Sequence, residues 1–413
     1  MKIVVKFGGT SVQDPERIKK AAQSIIQHVK KGNEVIVVVS AMGNTTNTLT
    51  SLLKNSAKNH IEDKDYADFV SMGERISARI LAATIKSMGF SSKYFDPADK
   101  DFPIITDSNF NQAKIYSADS KEICQKIIEP LLQNGIIPII CGFLGKSKED
   151  DNITTLGRGG SDITAFALGN FLNADEVIIV TDAVGVLSAD PRIIKKTKTL
   201  KKISVEEMGI LAEGGAKVLH PQALKYKTDN MKAKIIHFQK GNLDAEGTEI
   251  IGAFKSTLIL FQEKLTMLTI LGTEIFDTPG LLKKIITPIS ENQISLYGVS
   301  IGTKHIGLYV TEKYNQKSYD LIHPIVIKDE KLKSITLKNN VGLIIASSRD
   351  FIETPGIIER ITRPLANSQI NIIEMITIKT DILIFLEWND REFAYEIVSK
   401  SLEEAGIEVT NLT

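Results

Sequence analysis

The sequence predicts an α/β domain with a mainly parallel sheet sandwiched by helices, followed by two smaller α+β modules. In the first 250 residues, short β-branched runs such as Val35–Val39 alternate with longer amphipathic segments such as Asp14–Lys31. Such wholly apolar runs are typical of parallel strands that are buried on both faces of a sheet. Beyond residue 252 the pattern changes to a strand–helix–strand–strand (βαββ) unit, which occurs twice.

Length and charge narrow the class of protein. The 413 residues are more than one hydrophobic core usually organises. The 50 basic and 50 acidic side chains balance, which argues against a nucleic-acid or anionic-membrane partner, because both favour a basic excess. No apolar stretch is long enough to span a bilayer, and Met1 leads straight into a strand without a charged leader. These features predict a cytoplasmic protein.

Four predicted parallel strands of the first domain end in polar or glycine-containing loops. In such sheets, ligands bind outside the carboxyl ends of the strands, so these loops are the first candidates for a site. They are Gly8–Ser11, Ser40–Gly43, Gly142–Phe143 and Thr181–Ala183.

The C-terminal repeat has a period of roughly 75 residues, as two pairs of segments show. Thr278–Leu282 matches Thr354–Ile358, and Glu291–Ser295 matches Asn367–Asn371. Each copy has a Pro-Gly turn at a strand-to-helix junction. We therefore expect domains at 1–252, 265–335 and 336–413, with a linker at 241–252, where turn-forming residues are frequent.

The segment Lys6–Ser11 has the features of a phosphate-binding turn. Gly8 and Gly9 let the backbone approach an anion closely, and Lys6 stands at the end of a buried strand. A helix that begins near Asp14 adds the positive end of its dipole. From these residues alone, an ordinary strand-to-helix turn remains an open alternative.

A second glycine-rich loop, Thr154–Asp162, surrounds Arg158 with three glycines. Arginine binds carboxylates through two parallel hydrogen bonds, which suits an amino-acid substrate. Asp162 opens a predicted helix, where it can cap the helix and also pair with Lys6. Glu74 lies in an apolar helical segment, and its alternative interpretation is a surface carboxylate.

Two later segments are candidates for nucleotide binding. Thr181–Val186, with Asp190–Arg192 after it, either holds a nucleotide or forms a structured loop. In Gly215–Pro221, Lys217 can reach phosphates, while His220 before a proline favours a structural role. The histidines and the two cysteines show no metal-ligand spacing, so the sequence predicts no metal site in the protein itself.

Taken together and in this order, these motifs resemble the aspartate kinases within the amino-acid kinase fold. The resemblance is carried by Lys6–Ser11, Thr154–Asp162 and Lys217–Pro221. The C-terminal repeats resemble the paired ACT-type regulatory modules of the same enzymes. No homoserine dehydrogenase-like extension follows, as in the monofunctional form. Leu187 departs from the family, which often has tyrosine there, and Asp151 stands where a turn glycine is common.

The resemblance implies an enzyme that transfers the γ-phosphate of ATP, with Mg²⁺, to the β-carboxylate of L-aspartate. This is the first step of lysine, threonine and methionine biosynthesis. Lys6 would contact the transferring phosphate and Asp162 would organise that lysine. The positions matching aspartate contacts are Ser40, Thr46, Glu74, Arg158 and Ser161. The positions matching nucleotide contacts are Lys6, Gly8, Gly9, Thr181, Asp182, Leu187, Arg192, Lys217 and Val218.

For the repeats, the resemblance implies a homodimer or higher homo-oligomer with an amino-acid effector, lysine or threonine. The candidate effector contacts are Asp277, Asn292 and Ile294. Three alternatives stay open. The chain is another enzyme of the same fold, acting on glutamate, acetylglutamate or a nucleotide; or it is a catalytically silent amino-acid sensor; or the repeats are only a dimerisation scaffold.

Overall fold

The structure, a computed structural model, describes residues 1–57, 61–213 and 218–412. The chain divides into two compact units, Met1–Phe254 and Lys255–Thr413. Within the described ranges, every helix is too short or too polar to cross a membrane.

The first unit alternates strands and helices, as the sequence predicts. Its strands are β1 Lys2–Phe7, β2 Glu34–Val39, β3 Ser92–Phe95, β4 Ile105–Thr106, β5 Ile137–Cys141, β6 Leu144–Ser147, β7 Ile153–Thr155, β8 Glu176–Thr181, β9 Lys202–Ser204, β10 Lys232–His237 and β11 Thr248–Ile251. Its helices are α1 Pro15–Lys30, α2 Thr45–Ser56, α3 Asp63–Ser87, α4 Ser117–Ile123, α5 Glu129–Gln133, α6 Gly160–Phe171 and α7 Val205–Glu213.

Eight of these strands form one sheet in the order β3-β5-β2-β1-β8-β10-β11-β9. All neighbours are parallel except β10 and β11, which confirms the mainly parallel sheet. The central strands are buried along nearly their whole length, as Val35–Val39 illustrates. The strands β4, β6 and β7 form a small separate sheet.

Local sequence explains where α1 begins. Asp14 is its N-cap and accepts a hydrogen bond from the Arg17 amide at 2.9 Å, and Pro15 occupies the first helical position. The interpretation of 241–252 as a linker is wrong in part. Thr248–Ile251 is strand β11, which pairs with β10 and belongs to the main sheet. The frequent turn formers of this segment concealed a short strand, which lies between β10 and β9 in the sheet.

The second unit contains β12 Thr257–Leu260, β13 Leu265–Gly272, β14 Gly298–Ile301, β15 His305–Thr311, β16 Leu332–Ser347, β17 Ile372–Ile378, β18 Asp381–Glu387 and β19 Thr410–Leu412. Its helices are α8 Leu281–Glu291, α9 Asn315–Lys328, α10 Asp350–Glu353, α11 Ile357–Asn367 and α12 Arg391–Glu404. The βαββ order occurs twice, in β13-α8-β14-β15 and β16-α11-β17-β18, which confirms the repeat.

The strand β16 serves both repeats. Its first half pairs with β13, and its second half pairs with β18 and β12. Asn340 between the halves has a left-handed backbone, with φ of 58°. The strand β12 precedes the first repeat in sequence but pairs with the second half of β16, in the one eight-stranded sheet that both repeats share. The second repeat is therefore discontinuous along the chain.

Candidate active site

The candidate loops of the first unit lie side by side because β5, β2, β1 and β8 are adjacent parallel strands. Main-chain hydrogen bonds extend the ladder beyond the strand ends. The Gly142 amide donates to the Val39 carbonyl at 2.9 Å, and the Gly8 amide donates to the Val180 carbonyl at 2.9 Å. These hydrogen bonds join neighbouring loops along the carboxyl edge of the sheet.

At the centre of this edge, Lys6 pairs with Asp162. The ammonium Nζ lies 2.7 Å from the carboxylate Oδ1, and both side chains are largely buried. Asp162 is not the N-cap of α6, because that helix begins at Gly160 and its cap is Gly159. The carboxylate instead lies in the first turn and reaches β1. The end of β1 and the start of α6 therefore meet at one buried ion pair.

The glycines after β1 are needed for close backbone approach. A Cβ added to Gly9 would lie 2.7 Å from the Ala41 carbonyl oxygen and 3.1 Å from that of Gly43. The Gly43 amide also donates to the Gly9 carbonyl at 2.9 Å. The loops after β1 and β2 are thereby joined through main chain. Any side chain at position 9 would force them apart.

A pair of serines connects β2 to α6. The Ser40 hydroxyl donates to the Ser161 hydroxyl at 2.9 Å. Gly142 makes room for this contact, since a Cβ there would lie 2.8 Å from the Ser161 Oγ. The structure therefore brings together Lys6, Ser40, Ser161 and Asp162, which are far apart in sequence.

Glu74 is buried, contrary to the alternative of a surface carboxylate. It lies on α3, and its Oε1 accepts a hydrogen bond from the Ala41 amide at 3.0 Å. Its Oε2 is buried and has no hydrogen-bond partner in the structure. Burial raises the pKa of this carboxyl from 4.5 to about 7. The unpaired oxygen is ready to accept a donor from a ligand.

Replacement of Glu74 by glutamine should stabilise the unliganded protein at alkaline pH. The pKa of Glu74 is near 7 in the folded protein and 4.5 in the unfolded chain. Between pH 4.5 and pH 7 the folded wild type therefore binds a proton at Glu74 that the unfolded chain has released. Its stability therefore falls as pH rises through that window, while the neutral amide is unaffected. We expect Glu74→Gln to be more stable than wild type by roughly 2–4 kcal/mol at pH 8, and nearly equal at pH 4.5.

Urea unfolding at the two pH values measures this effect. Glu122→Gln, a change at an exposed carboxylate on α4, is the matched control. An unfolding free energy that differs from wild type equally at both pH values would show that Glu74 is already charged in the folded protein.

The other two substrate candidates are more exposed. Arg158 is exposed on the loop between β7 and α6, and its guanidinium makes no hydrogen bond or ion pair with the described residues. Thr46 is half-buried in the first turn of α2, a helix that packs on α3. Their place in the same site as Lys6 stays a prediction.

The nucleotide candidates follow β8. Thr181 ends that strand and its hydroxyl donates to the Asp182 carboxylate at 3.2 Å. Leu187 pairs in an isolated bridge with Thr199. Arg192 is exposed and forms an ion pair with Asp190 at 2.6 Å. Val218 is half-buried in a turn, and Lys217 lies outside the described residues. These positions also remain predictions.

Sequence reasoning missed contacts that support the candidate residues. The His220 amide donates to the Asp162 Oδ2 at 3.4 Å. The Arg17 guanidinium donates to the Thr10 carbonyl at 2.5 Å and lies over the Phe238 ring, 4.4 Å from its centroid. Main-chain donors such as the His220 amide leave no signal in a sequence, and Arg17 looks like an ordinary charge on an amphipathic helix.

In the second unit, the effector candidates differ in exposure. Asp277 is exposed before α8, whereas the Ile294 side chain is buried in the core of the first repeat. The Asn292 side chain donates to the Pro288 carbonyl at 3.0 Å, at the end of α8. Asn292 and Ile294 both precede β14, which begins only at Gly298. If Ile294 meets an effector, it does so through its main chain.

The Pro-Gly turns use glycine for conformation and not for close approach. Gly280 and Gly356 have φ of 82° and 81°, and each is the N-cap of the helix that follows. A Cβ on either would meet nothing within 4 Å. Among the described residues, no main chain packs closely against these two glycines.

Comparisons with known proteins identify the family of this chain. The model of the amino acid kinase family matches residues 1–237. An aspartokinase of Geobacillus stearothermophilus is 37% identical over 276 residues, which are 66% of each protein. An aspartokinase of Mycobacterium bovis is 33% identical over 303 residues, which are 71% of this chain and 69% of that protein.

Among solved structures, the aspartate kinase of Synechocystis superposes with a TM-score of 0.75 at 25% identity. The match covers 99% of this chain and 70% of that one. The structural match spans both the unit that holds the Lys6–Asp162 pair and the unit with the repeats. The chain therefore belongs to the amino acid kinase family, in its aspartokinase branch.

Proposed function

We propose that the protein is an aspartate kinase, which transfers the γ-phosphoryl group of ATP to the β-carboxylate of L-aspartate. The observation that carries this proposal is the buried Lys6–Asp162 pair beside a glycine turn, on the same sheet edge as the unpaired carboxylate of Glu74. Lys6 on β1 can thus bind a phosphate, while Glu74 on α3, bonded to the loop after β2, can bind an ammonium. Arg158 supplies a cation for a substrate carboxylate.

The chemistry needs positioning more than proton transfer. The nucleophile is a carboxylate with a reference pKa of about 3.9, so it is already ionised at neutral pH and needs no general base. Lys6 stabilises negative charge on the transferring group, and Asp162 holds that ammonium in place. The amides of Gly8 and Gly9 lie on the same turn, where they can bind phosphate oxygens.

Mg²⁺ would enter this site with the nucleotide. Among the described residues, no group of three or more histidine, cysteine or acidic side chains is arranged to hold a metal. Since Mg²⁺ commonly keeps several waters and is bound through substrate phosphates, such a cluster is not required. Asp182, exposed directly after β8, is an acidic side chain on the same edge of the sheet. When bound, the ion neutralises phosphate charge.

A coupled assay for ADP formation tests the proposal. L-aspartate should support turnover, while glutamate, acetylglutamate and nucleoside monophosphates should not. Turnover with one of these other acceptors, and none with aspartate, would place the chain with another activity of the same fold. Absence of ADP with every acceptor, while lysine or threonine binds, would favour the silent-sensor interpretation.

We further propose that the repeats of the second unit bind an amino-acid effector, lysine or threonine, as part of a homo-oligomer. The helix α8 begins at an exposed turn whose amides can receive a carboxylate. Asp277 lies beside this turn, exposed, where it can receive the ammonium. A scaffold without a ligand has no need of a carboxylate at that position.

Replacement of Asp277 by alanine should weaken effector binding, because it removes the charge that pairs with the ammonium. Calorimetry of the full chain should give heat with lysine or threonine. Asp277→Ala should bind that amino acid roughly 10–100-fold more weakly, since a hydrogen bond to a charged group contributes about 1.5–3 kcal/mol. The effector should inhibit turnover through a coupling of about 1–3 kcal/mol.

The control is Asp320→Ala, which removes an exposed carboxylate of α9 that bonds to Gln316 at 2.8 Å. Its binding heat should match wild type. If neither amino acid gives heat and neither changes the rate, the repeats act as a scaffold only.

A further inference from the structure

Phe143 adopts a backbone conformation that is unusual for its side chain. Among the described residues, eight other than glycine have positive φ, and seven of these are Asp, Asn, Glu, Gln or Lys. The eighth is Phe143, with φ of 69°. A bulky residue in this region carries backbone strain, which persists only where the surrounding structure fixes it. Such strain is concentrated at functional sites.

The main chain of Phe143 joins two parts of the site. The residue follows Gly142 at the carboxyl end of β5. Its carbonyl accepts a hydrogen bond from the Leu156 amide at 2.8 Å. Leu156 directly precedes Gly157 and Arg158, so this bond anchors the start of the arginine loop to the sheet edge.

The side chain of Phe143 packs against the start of α6. A Cβ added to Gly160 would lie 2.8 Å from the Cα of Phe143 and 2.9 Å from its Cδ2. Gly142 approaches Ser161 in the same way. Two glycines, one on each side, therefore allow the end of β5 to touch the first turn of α6. That turn carries Asp162, the partner of Lys6.

We propose that Phe143 is a positioning residue for phosphoryl transfer. Its left-handed backbone directs the ring onto Gly160 and the carbonyl toward Leu156. In this way one residue sets the location of both Asp162 and the Arg158 loop. The inference rests on the proposed aspartate kinase activity. It predicts that loss of the ring displaces the Arg158 loop and Asp162, and so weakens aspartate binding and slows the reaction. A displacement of about 1 Å in such a site can lower the rate by about 10².

Two substitutions distinguish a positioning role of Phe143 from a role in the stability of the fold alone. Phe143→Ala and Phe143→Gly both remove the ring, but glycine relieves the left-handed strain and should give the higher melting temperature of the two. Both should raise the KM for aspartate by about tenfold and lower kcat/KM for aspartate by roughly 10–100-fold, with little change in the KM for ATP. If Phe143 only stabilised the fold, activity would follow melting temperature, and the KM of the folded fraction would be unchanged.

Gly160→Ala tests the same contact from the helix and keeps the ring. It should raise the KM for aspartate in the same way, and it decides the question if the Phe143 variants do not fold. The matched control is Gly209→Ala on α7, where a Cβ meets nothing within 4 Å, and its kinetics should equal wild type. A wild-type enzyme without aspartate-dependent ADP formation refutes the proposed function. An active wild type, with an unchanged KM for aspartate in a folded Phe143→Gly or Gly160→Ala variant, refutes the positioning role.

Discussion

Replacement of Lys6 by alanine should lower kcat by about 10²–10³, the usual loss for one preorganised group that stabilises charge in the transition state. The ammonium is held 2.7 Å from Asp162 at the end of β1, so it needs no rearrangement when charge develops on the transferring phosphoryl group. The KM for aspartate should change little, because the proposed aspartate contacts lie on other loops. Steady-state kinetics with saturating ATP measure both constants.

The matched control for this change is Lys2→Ala. Lys2 lies on the same strand, at its other end, and pairs with Glu129 at 3.2 Å. Its removal should leave kcat unaltered. Circular dichroism should show both variants folded, since Lys6→Ala leaves the largely buried Asp162 carboxylate without its partner. A folded Lys6→Ala protein with near-normal kcat would contradict the assignment.

Removal of the charges proposed to hold aspartate should act on KM instead. Glu74→Gln keeps the bond from the Ala41 amide but loses the anion that faces the substrate ammonium. Arg158→Lys keeps a charge but loses the paired donors that fit a carboxylate. A hydrogen bond to a charged group contributes about 1.5–3 kcal/mol, so each variant should raise the KM for aspartate by roughly 10–100-fold. Little change is expected in the KM for ATP.

The pH profile distinguishes the two residues. With a pKa of about 7, Glu74 loses its charge as pH falls below neutrality, so the KM of the wild type for aspartate should rise between pH 8 and pH 6. That rise should be absent in Glu74→Gln and retained in Arg158→Lys. Glu122→Gln on α4 serves as control and should follow wild type. Unaltered aspartate affinity in both variants would place the binding pocket elsewhere.

The expected rise in the KM for aspartate and its pH dependence are linked to the stability prediction for Glu74. A buried carboxylate with an unpaired oxygen destabilises the unliganded protein above pH 7, yet the same feature suits it to bind a cation. Glu74→Gln should therefore gain stability and lose aspartate affinity together. A variant that lost both would indicate that Glu74 serves mainly to hold the Ala41 loop.

The hydrophobic pattern was sufficient to predict the architecture. Buried strands and amphipathic helices can be recognised from the types and spacing of residues that are close in sequence. The run Val35–Val39 indicated a strand covered on both faces, and the structure confirms it as β2. Pattern failed where pairing partners decide the outcome. The segment at 241–252 contains the short strand β11, which pairs with β10 and β9, and β16 runs through both repeats because each half has its own partner strands.

Residue chemistry at strand ends indicated Lys6 and the loops beside it, since parallel strands bring their carboxyl ends to one edge. The resemblance to the aspartate kinases was needed to select Ser40 and Ser161. The sequence alone thus determined the fold class, the repeat and the loops where ligands are expected. Only the tertiary structure decided that Glu74 is buried, that Asp162 pairs with Lys6 without capping α6, and that Phe143 is strained against Gly160. Burial, pKa and backbone strain depend on contacts between distant segments, and such contacts have no period along the chain.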